Sequence, residues 1–337
     1  MLRRIAVEEA FVTADIAAQW SRVLSGRFVE PGFKAMGNSI LGDNPGTKKV
    51  HERLIDLDAG RLAHMDATGI DMQVISMTSP GVQVFDAVTA TSLSEQANDV
   101  LAQAVRRHPS RFAGLATVAP QYPEGAAREL ERAVDKLGLK GAIINSHTMG
   151  EYLDDPKYWP LLEAAESLRT PIYLHPREPA PSMVGPYLDY GLYWAGWGFA
   201  AETGLHAMRL IMGGVFERFP KLEIILGHMG EGMPFWLQRI DNRYQLGVKI
   251  GAHGKLQRLP SEYFLENFVI STSGVMHNSA LQLSIDVLGT ERIMFAADYP
   301  YESVEDGVKF LDNAPISEAD RRRIYSGNAE ALFGLSR

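Results

Sequence analysis

The 337-residue chain contains no cysteine. This excludes disulfides, iron–sulfur clusters and thiolate zinc sites, and leaves carboxylate, imidazole and water as the strong metal ligands. It also lacks a basic run: 33 lysines and arginines against 41 aspartates and glutamates give a formal net charge of −8, spread along the chain. That balance argues against a nucleic acid or an anionic membrane as partner. No charge-free stretch is long enough to span a bilayer, and the apolar run in MLRRIAVEEAF is too short for a signal peptide. Internal repeats and low-complexity segments are absent too. The expectation is a cytoplasmic protein that acts on a small molecule.

What is present is enough apolar sequence, 46% of the chain, to build a large core, and a barrel of this length can be a single domain over residues 1–337. Eight short apolar or β-branched runs read as strands: RRIAVEE (3–9), DMQVISM (71–77), FAGLATVA (112–119), KGAIINS (140–146), TPIYLHP (170–176), LEIILGH (222–228), FVISTSG (268–274) and RIMFAADYP (292–300). Helix-like stretches alternate with them over 92–109, 124–138, 158–169, 200–220 and 233–247, and Pro109, Gly138 and Pro220 stop helices just before strands. Strands alternating with helices imply parallel pairing through right-handed crossovers, and eight units suggest a closed (β/α)8 TIM barrel. Two connections are oversized, 11–60 after the first strand and 176–199 after the fifth, and long loops at carboxyl ends of barrel strands usually shape a pocket or a subunit contact.

Glu8, His175, His228 and Asp298 stand at the ends of four of these runs. A barrel gathers such residues at one mouth, however far apart they lie in the chain. A lone strand-end histidine is more often hydrogen-bonded structure than ligand, but carboxylates and imidazoles together at four strand ends suit one divalent ion of the Mn or Zn kind. Glu231, three residues beyond His228, is placed to orient that imidazole. Arg239, in the helix-like segment that follows, is a candidate for binding a substrate carboxylate, against the plainer reading of a surface pair with Asp241. Glu9 should point away from the mouth, because side chains alternate along a strand, whereas Ala10 shares the face of Glu8. His206 reads as a packed core histidine, and His147 as a pocket residue or the cap of a turn. Trp194, Trp197 and Phe199 read as an aromatic wall for a flat ring or as core.

VEEAF (7–11), MDATGID (65–71), TSPGVQ (78–83), YLHPREP (173–179), ILGHMGEG (225–232), TSG (272–274) and AADYPYE (296–302) resemble the amidohydrolase-2 branch of the amidohydrolase superfamily, over essentially the whole chain. Within it the chain is most similar to metal-dependent decarboxylases of hydroxylated benzoates. INSHTMGEYLDD (144–155) resembles the 5-carboxyvanillate type most, with the γ-resorcylate and 2,3-dihydroxybenzoate enzymes as neighbours. The resemblance implies Glu8, His175 and Asp298 as metal ligands, with His228 beside the metal as a further ligand or acid/base group; on such a site Asp298 is the candidate acid that protonates the ring, and His228, oriented by Glu231, the group that handles the substrate. It further implies a small aromatic carboxylic acid as substrate and a homodimer or homotetramer. Many relatives carry a histidine where this chain has Ala10, and binuclear members carry a lysine where it has Asn145, Ser146 and His147, so one metal ion is expected. The alternatives are a metal-dependent lactone or ester hydrolase on the same barrel, and a metal-free binding protein.

Overall fold

The computed structural model describes residues 2–335, and its strands are short and almost wholly buried, as they must be where both faces of a parallel sheet are covered. β1 (Ile5–Phe11) and β2 (Met72–Met77) are buried at every position. They pair in parallel, and β2 pairs with β3 (Phe112–Gly114). Parallel pairing then runs through β4 (Ala116–Thr117), β5 (Ala142–Asn145), β6 (Ile172–His175), β7 (Ile224–Leu226), β8 (Phe268–Ser271) and β9 (Ile293–Met294). β3 and β4 are halves of one run broken at Leu115: the Leu115 N–H reaches the Ile75 carbonyl at 2.9 Å, and the Ala116 N–H turns to Gly141 at 2.7 Å. The nine segments therefore make eight staves.

The ring closes between β1 and the chain just past β9. Val7 donates its N–H to Phe295 at 3.1 Å and Ala10 donates to Tyr299 at 2.8 Å. This is the (β/α)8 barrel expected from the alternation of strands and helices. The last strand is shorter than the run 292–300 suggests, because beyond Met294 the Thr272 hydroxyl, rather than a backbone group, pairs with both the N–H and the carbonyl of Ala296.

Helices cover the outside: Ala87–Arg107, Pro123–Asp135, Trp159–Leu168, Gly198–Met212, Met233–Lys249 and Asn278–Leu288 among them. The first starts earlier than its hydrophobic period suggests because the Asp86 carboxylate caps the N–H groups of Val88 and Thr89. The helix expected over 200–220 divides at Gly213–Gly214. The first long connection is not open loop but four helices, Ala14–Leu24, Pro31–Leu41, Pro45–Ile55 and Ala59–Thr68. Two of them begin with proline at the position where a missing N–H costs nothing. One contiguous apolar cluster includes residues from Ile5 to Phe333. Among the described residues no helix is long and apolar enough to cross a membrane.

His206 is a fully buried core residue. The Leu153 N–H points at its Nε2 at 3.0 Å, so the ring proton sits on Nδ1 and is donated to the Ser146 hydroxyl at 3.3 Å, which donates to Glu202 at 3.2 Å. Burial, with Arg209 adding to it, pulls the His206 pKa down to about 3. An unfolded-chain histidine titrates near about 6.5, so protons bind the unfolded state first and the fold loses stability as pH falls through the window between these values. Between pH 6.5 and 5 this histidine alone should remove about 2 kcal/mol. We expect urea unfolding of His206→Gln to show a correspondingly smaller loss of stability between pH 7 and 5 than the unaltered protein. An identical loss in both would count against a neutral buried imidazole.

Candidate active site

Glu8 reaches the barrel mouth from β1, where a bulge between Ala6 and Glu9 shifts the register against β2. Its carboxylate is held from one side only. The Tyr173 hydroxyl on β6 and the Ser271 hydroxyl on β8, the latter at 2.9 Å, both donate to Oε2. Oε1 is buried and has no hydrogen-bond partner among the described residues. Gly227 makes this reach possible, since a Cβ there would lie 2.7 Å from Glu8 Oε1.

Three further groups face that orphaned oxygen. His175, the last residue of β6, has Nδ1 2.8 Å from the Pro176 carbonyl, which fixes the proton on Nδ1 and leaves the Nε2 lone pair 3.5 Å from Glu8 Oε1. His228 Nε2 lies 3.8 Å from Glu8 Oε1 and 3.9 Å from Asp298 Oδ2. Donors on one divalent ion, each about 2.0–2.2 Å from it, stand roughly 3–4 Å apart. The unpartnered Glu8 oxygen and the outward lone pair of His175 stand 3.5 Å apart, Asp298 adds a carboxylate 3.9 Å from His228, and oxygen and nitrogen donors of this kind suit Mn or Zn.

The backbone is strained where these groups sit. His228, Met229, Gly230, Glu231 and Gly232 all have positive φ, a full left-handed turn after β7, and Asp298 has φ +60°. Left-handed geometry costs a non-glycine residue about 1–2 kcal/mol. In return it brings Glu231 Oε1 to 2.7 Å from His228 Nδ1, so the imidazole donates from Nδ1 and presents Nε2 to the mouth. Glycine is required at 230, where φ is +75° and a Cβ would meet Ile270 at 2.9 Å.

Electrostatics follow from burial. Burial pulls the His175 pKa down to about 4, leaving it neutral and ready to ligate. Burial acts the same way on His228, but Glu231 and Glu8 outweigh it and hold the imidazole well above its ordinary range. Burial pushes Asp298 up to about 6, with Glu8 and Glu302 adding to the effect and His228 opposing it.

The site opens on two adjoining cavities of about 380 and 280 Å³ that share Ala195, Phe199, His228, Asp298 and Glu302. The smaller is walled by Trp194, Phe199, Met36 and Ile40, with Thr78 and Tyr301 hydrogen-bonded at 2.6 Å on its polar side. Trp194 and Phe199 thus form the expected aromatic wall, whereas Trp197 is exposed. Met36 and Ile40 escape a reading of the sequence because they lie on a helix inside what looks like a loop, although Pro31 marks its start. Tyr301 and Glu302 stand in the DYPYE segment, where residue type alone gives them no signal.

Arg239 stands apart from the cavities of this chain. It lies on the exposed face of the helix Met233–Lys249, lines neither cavity, and makes no ion pair or hydrogen bond among the described residues. Its expected alternative partner, Asp241, instead accepts from Ser261. Helical periodicity turns position 239 away from the barrel while Leu237 turns in. His147 caps a turn by accepting the Gly150 N–H and also approaches the Glu178 carbonyl. Glu30, His147 and Glu178 come close enough to hold an ion. The Arg177 guanidinium already lies between the two carboxylates, and both nitrogens of His147 are engaged, so this cluster is an ion-pair clamp.

The family model described as amidohydrolase matches residues 23–335, and the chain belongs to that family. Among curated relatives, the γ-resorcylate decarboxylase of Polaromonas sp. is 40% identical over 86% of this chain and 91% of its own length. The crystal structure of 5-carboxyvanillate decarboxylase from Sphingomonas paucimobilis is 43% identical with a TM-score of 0.96, covering 100% of both chains. That of the 5-carboxyvanillate decarboxylase from Novosphingobium aromaticivorans, complexed with manganese and 4-hydroxy-3-methoxy-5-nitrobenzoic acid, is 40% identical with a TM-score of 0.97, covering 99% of this chain and 96% of that one.

Because Tyr173 holds the Glu8 oxygen that faces away from the mouth, removing its hydroxyl should free the carboxylate to rotate. Tyr173→Phe is expected to weaken Mn binding about 10–100-fold, the usual cost of losing a group that orients a ligand. Equilibrium dialysis with elemental analysis reads this directly, and unchanged affinity would remove Glu8 from the ligand set.

Proposed function

We propose that the protein is a metal-dependent carboxy-lyase that decarboxylates an ortho-hydroxylated benzoate without oxidation. The observation that carries this reading is a small, aromatic-walled cavity lined by His175, His228 and Asp298, with the unpartnered Glu8 oxygen 3.5 Å behind His175 and Glu231 bonded to His228. The manganese-bound relatives that share the fold throughout support it.

Glu8, His175 and Asp298 would hold one divalent ion, manganese or zinc. When bound, that ion would supply Lewis acidity towards the oxygen substituents of the substrate. The chain's own residues do the remainder. Trp194 and Phe199 flank the ring, and Met36 and Ile40 shield it from water. Asp298 delivers a proton to the ring carbon that bears the carboxylate. The bond to the carboxylate then breaks, its electron pair restores the aromatic ring, carbon dioxide leaves, and Asp298 is reprotonated from water. His228, oriented by Glu231 through Nδ1, donates from Nε2 to a substrate oxygen.

Among the described residues no lysine or arginine lines either cavity, whereas Glu302 does. Turnover of a ring with a second carboxylate, such as 5-carboxyvanillate, would therefore call on a cation from outside the chain's own cavity. A homodimer or homotetramer is part of the same reading. Phe235 and Trp236 are 66% and 50% exposed on the helix after the left-handed turn, and Trp197 is 62% exposed. Apolar surface of this kind marks contact faces. Light scattering at working concentration should give more than one chain's mass.

The test of function is to incubate the manganese-loaded protein with 2,6-dihydroxybenzoate, 2,3-dihydroxybenzoate and 5-carboxyvanillate and follow loss of ultraviolet absorbance. At least one acid should be consumed with release of carbon dioxide. Hydrolysis of lactones with no activity on any of the acids would replace this reading with a hydrolase. Asp298→Asn is expected to keep part of its manganese and to lose about 10²–10⁴-fold in kcat. Near-normal turnover in that variant would remove Asp298 as the acid.

A further inference from the structure

The residue next to Glu8 in the chain faces the opposite way and ends at the other side of the same site. Glu9 is fully buried in the barrel wall. Its Oε1 accepts the Ala297 N–H at 3.0 Å and its Oε2 accepts the Tyr299 N–H at 3.3 Å. One carboxylate thus binds the residues on both sides of Asp298, which itself sits at φ +60°. A conformation that costs a non-glycine residue about 1–2 kcal/mol persists only where its surroundings hold it. Here the holding comes from β1: Glu9 with its side chain, and Ala10 with a backbone bond to the Tyr299 carbonyl at 2.8 Å.

Glu9 is in turn braced. Gln73 donates to its Oε2 at 3.3 Å, and the Gln73 carbonyl oxygen accepts from the buried Arg61 guanidinium at 3.2 Å. Arg61 also donates to the Ala10 carbonyl at 2.7 Å and lies 4.8 Å from the centre of the Tyr299 ring. Every group bonded to its two oxygens is a donor.

We propose that Glu9, braced by Gln73 and Arg61, is a positioning residue that holds Asp298 in its left-handed conformation and so aims the Asp298 carboxyl at the metal centre. The proposal rests on the reading of Asp298 as a ligand and proton donor. In Glu9→Gln one oxygen is replaced by an NH2 group that faces another N–H, so one of the two clamps is lost with almost no change in volume.

The test is a cycle of Glu9→Gln, Asp298→Asn and the double variant, reading Mn affinity of the metal-stripped proteins by the electron paramagnetic resonance signal of free Mn(II), together with kcat and KM. Glu9→Gln should weaken Mn binding roughly 10-fold or more and lower kcat with KM changed less than 3-fold. The same substitution should change Mn affinity less than 2-fold once Asp298 is asparagine, because residues acting through one another are not additive. Equal losses in both backgrounds, or a Glu9→Gln affinity within 2-fold of the unaltered protein, overturn the proposal. Should Glu9→Gln not fold, Gln73→Leu is read in the same cycle, with a loss of roughly 3-fold expected and the same non-additivity required. Unchanged affinity and turnover in Asp298→Asn alone would instead sink the role given to Asp298, an outcome distinct from failure of the Glu9 clamp.

Discussion

Two backbone hydrogen bonds and one buried carboxylate join β1 to the chain beyond β9, and through that seam the first and last staves become neighbours. Each hydrogen bond adds only about 0.5–1.5 kcal/mol net, so the seam's importance is positional more than energetic. Left open, it would expose two parallel edges with unpaired N–H and carbonyl groups. Closed, it sets Glu8 and Asp298 on either side of one line of bonds. The remaining members of the site, His175 and His228, arrive from β6 and from the turn after β7, on the far side of the ring. The candidate site is thus assembled across the barrel's diameter, and closure is a precondition for it.

Charge explains why such a centre suits a cation. Glu8, Asp298 and Glu231 gather around two imidazoles in a region mostly withdrawn from water, with Glu302 exposed at its rim. Buried negative charge in excess of its partners is costly. The raised proton affinities of Asp298 and His228 are one expression of that cost, and a bound divalent ion is another way of relieving it. Tyr173 and Ser271 add direction by engaging the same Glu8 oxygen, so the ionic task falls on the other one.

Much of this was legible in the amino-acid sequence. Buried parallel strands read as unbroken apolar runs, and a polar residue that ends such a run points into the mouth, which is why Glu8, His175, His228 and Asp298 stand out without any coordinates. Alternation likewise turns Glu9 away from Glu8. What stayed hidden depends on contacts between staves. Tyr173 looks like any aromatic in a core strand until the neighbouring register places it against Glu8. The left-handed turn over 228–232 has only two glycines to advertise it, and its three other members are residues that ordinarily avoid that geometry. The outward direction of Arg239 was hidden too, because proximity to HMGEG along the chain says nothing about which side of the helix faces the barrel.

The helix Pro31–Leu41, in the connection after β1, leads to a separation of labour. It lends Met36 and Ile40 to the cavity, and the residue before it, Glu30, is tied to Arg177, two positions beyond His175. None of the staves passes through it. Part of the cavity wall is therefore carried on a segment outside the staves, separate from the seam and from the residues at the barrel mouth. A lineage built on this chain could change its diet by rewriting one excursion of the backbone and keep its reaction intact.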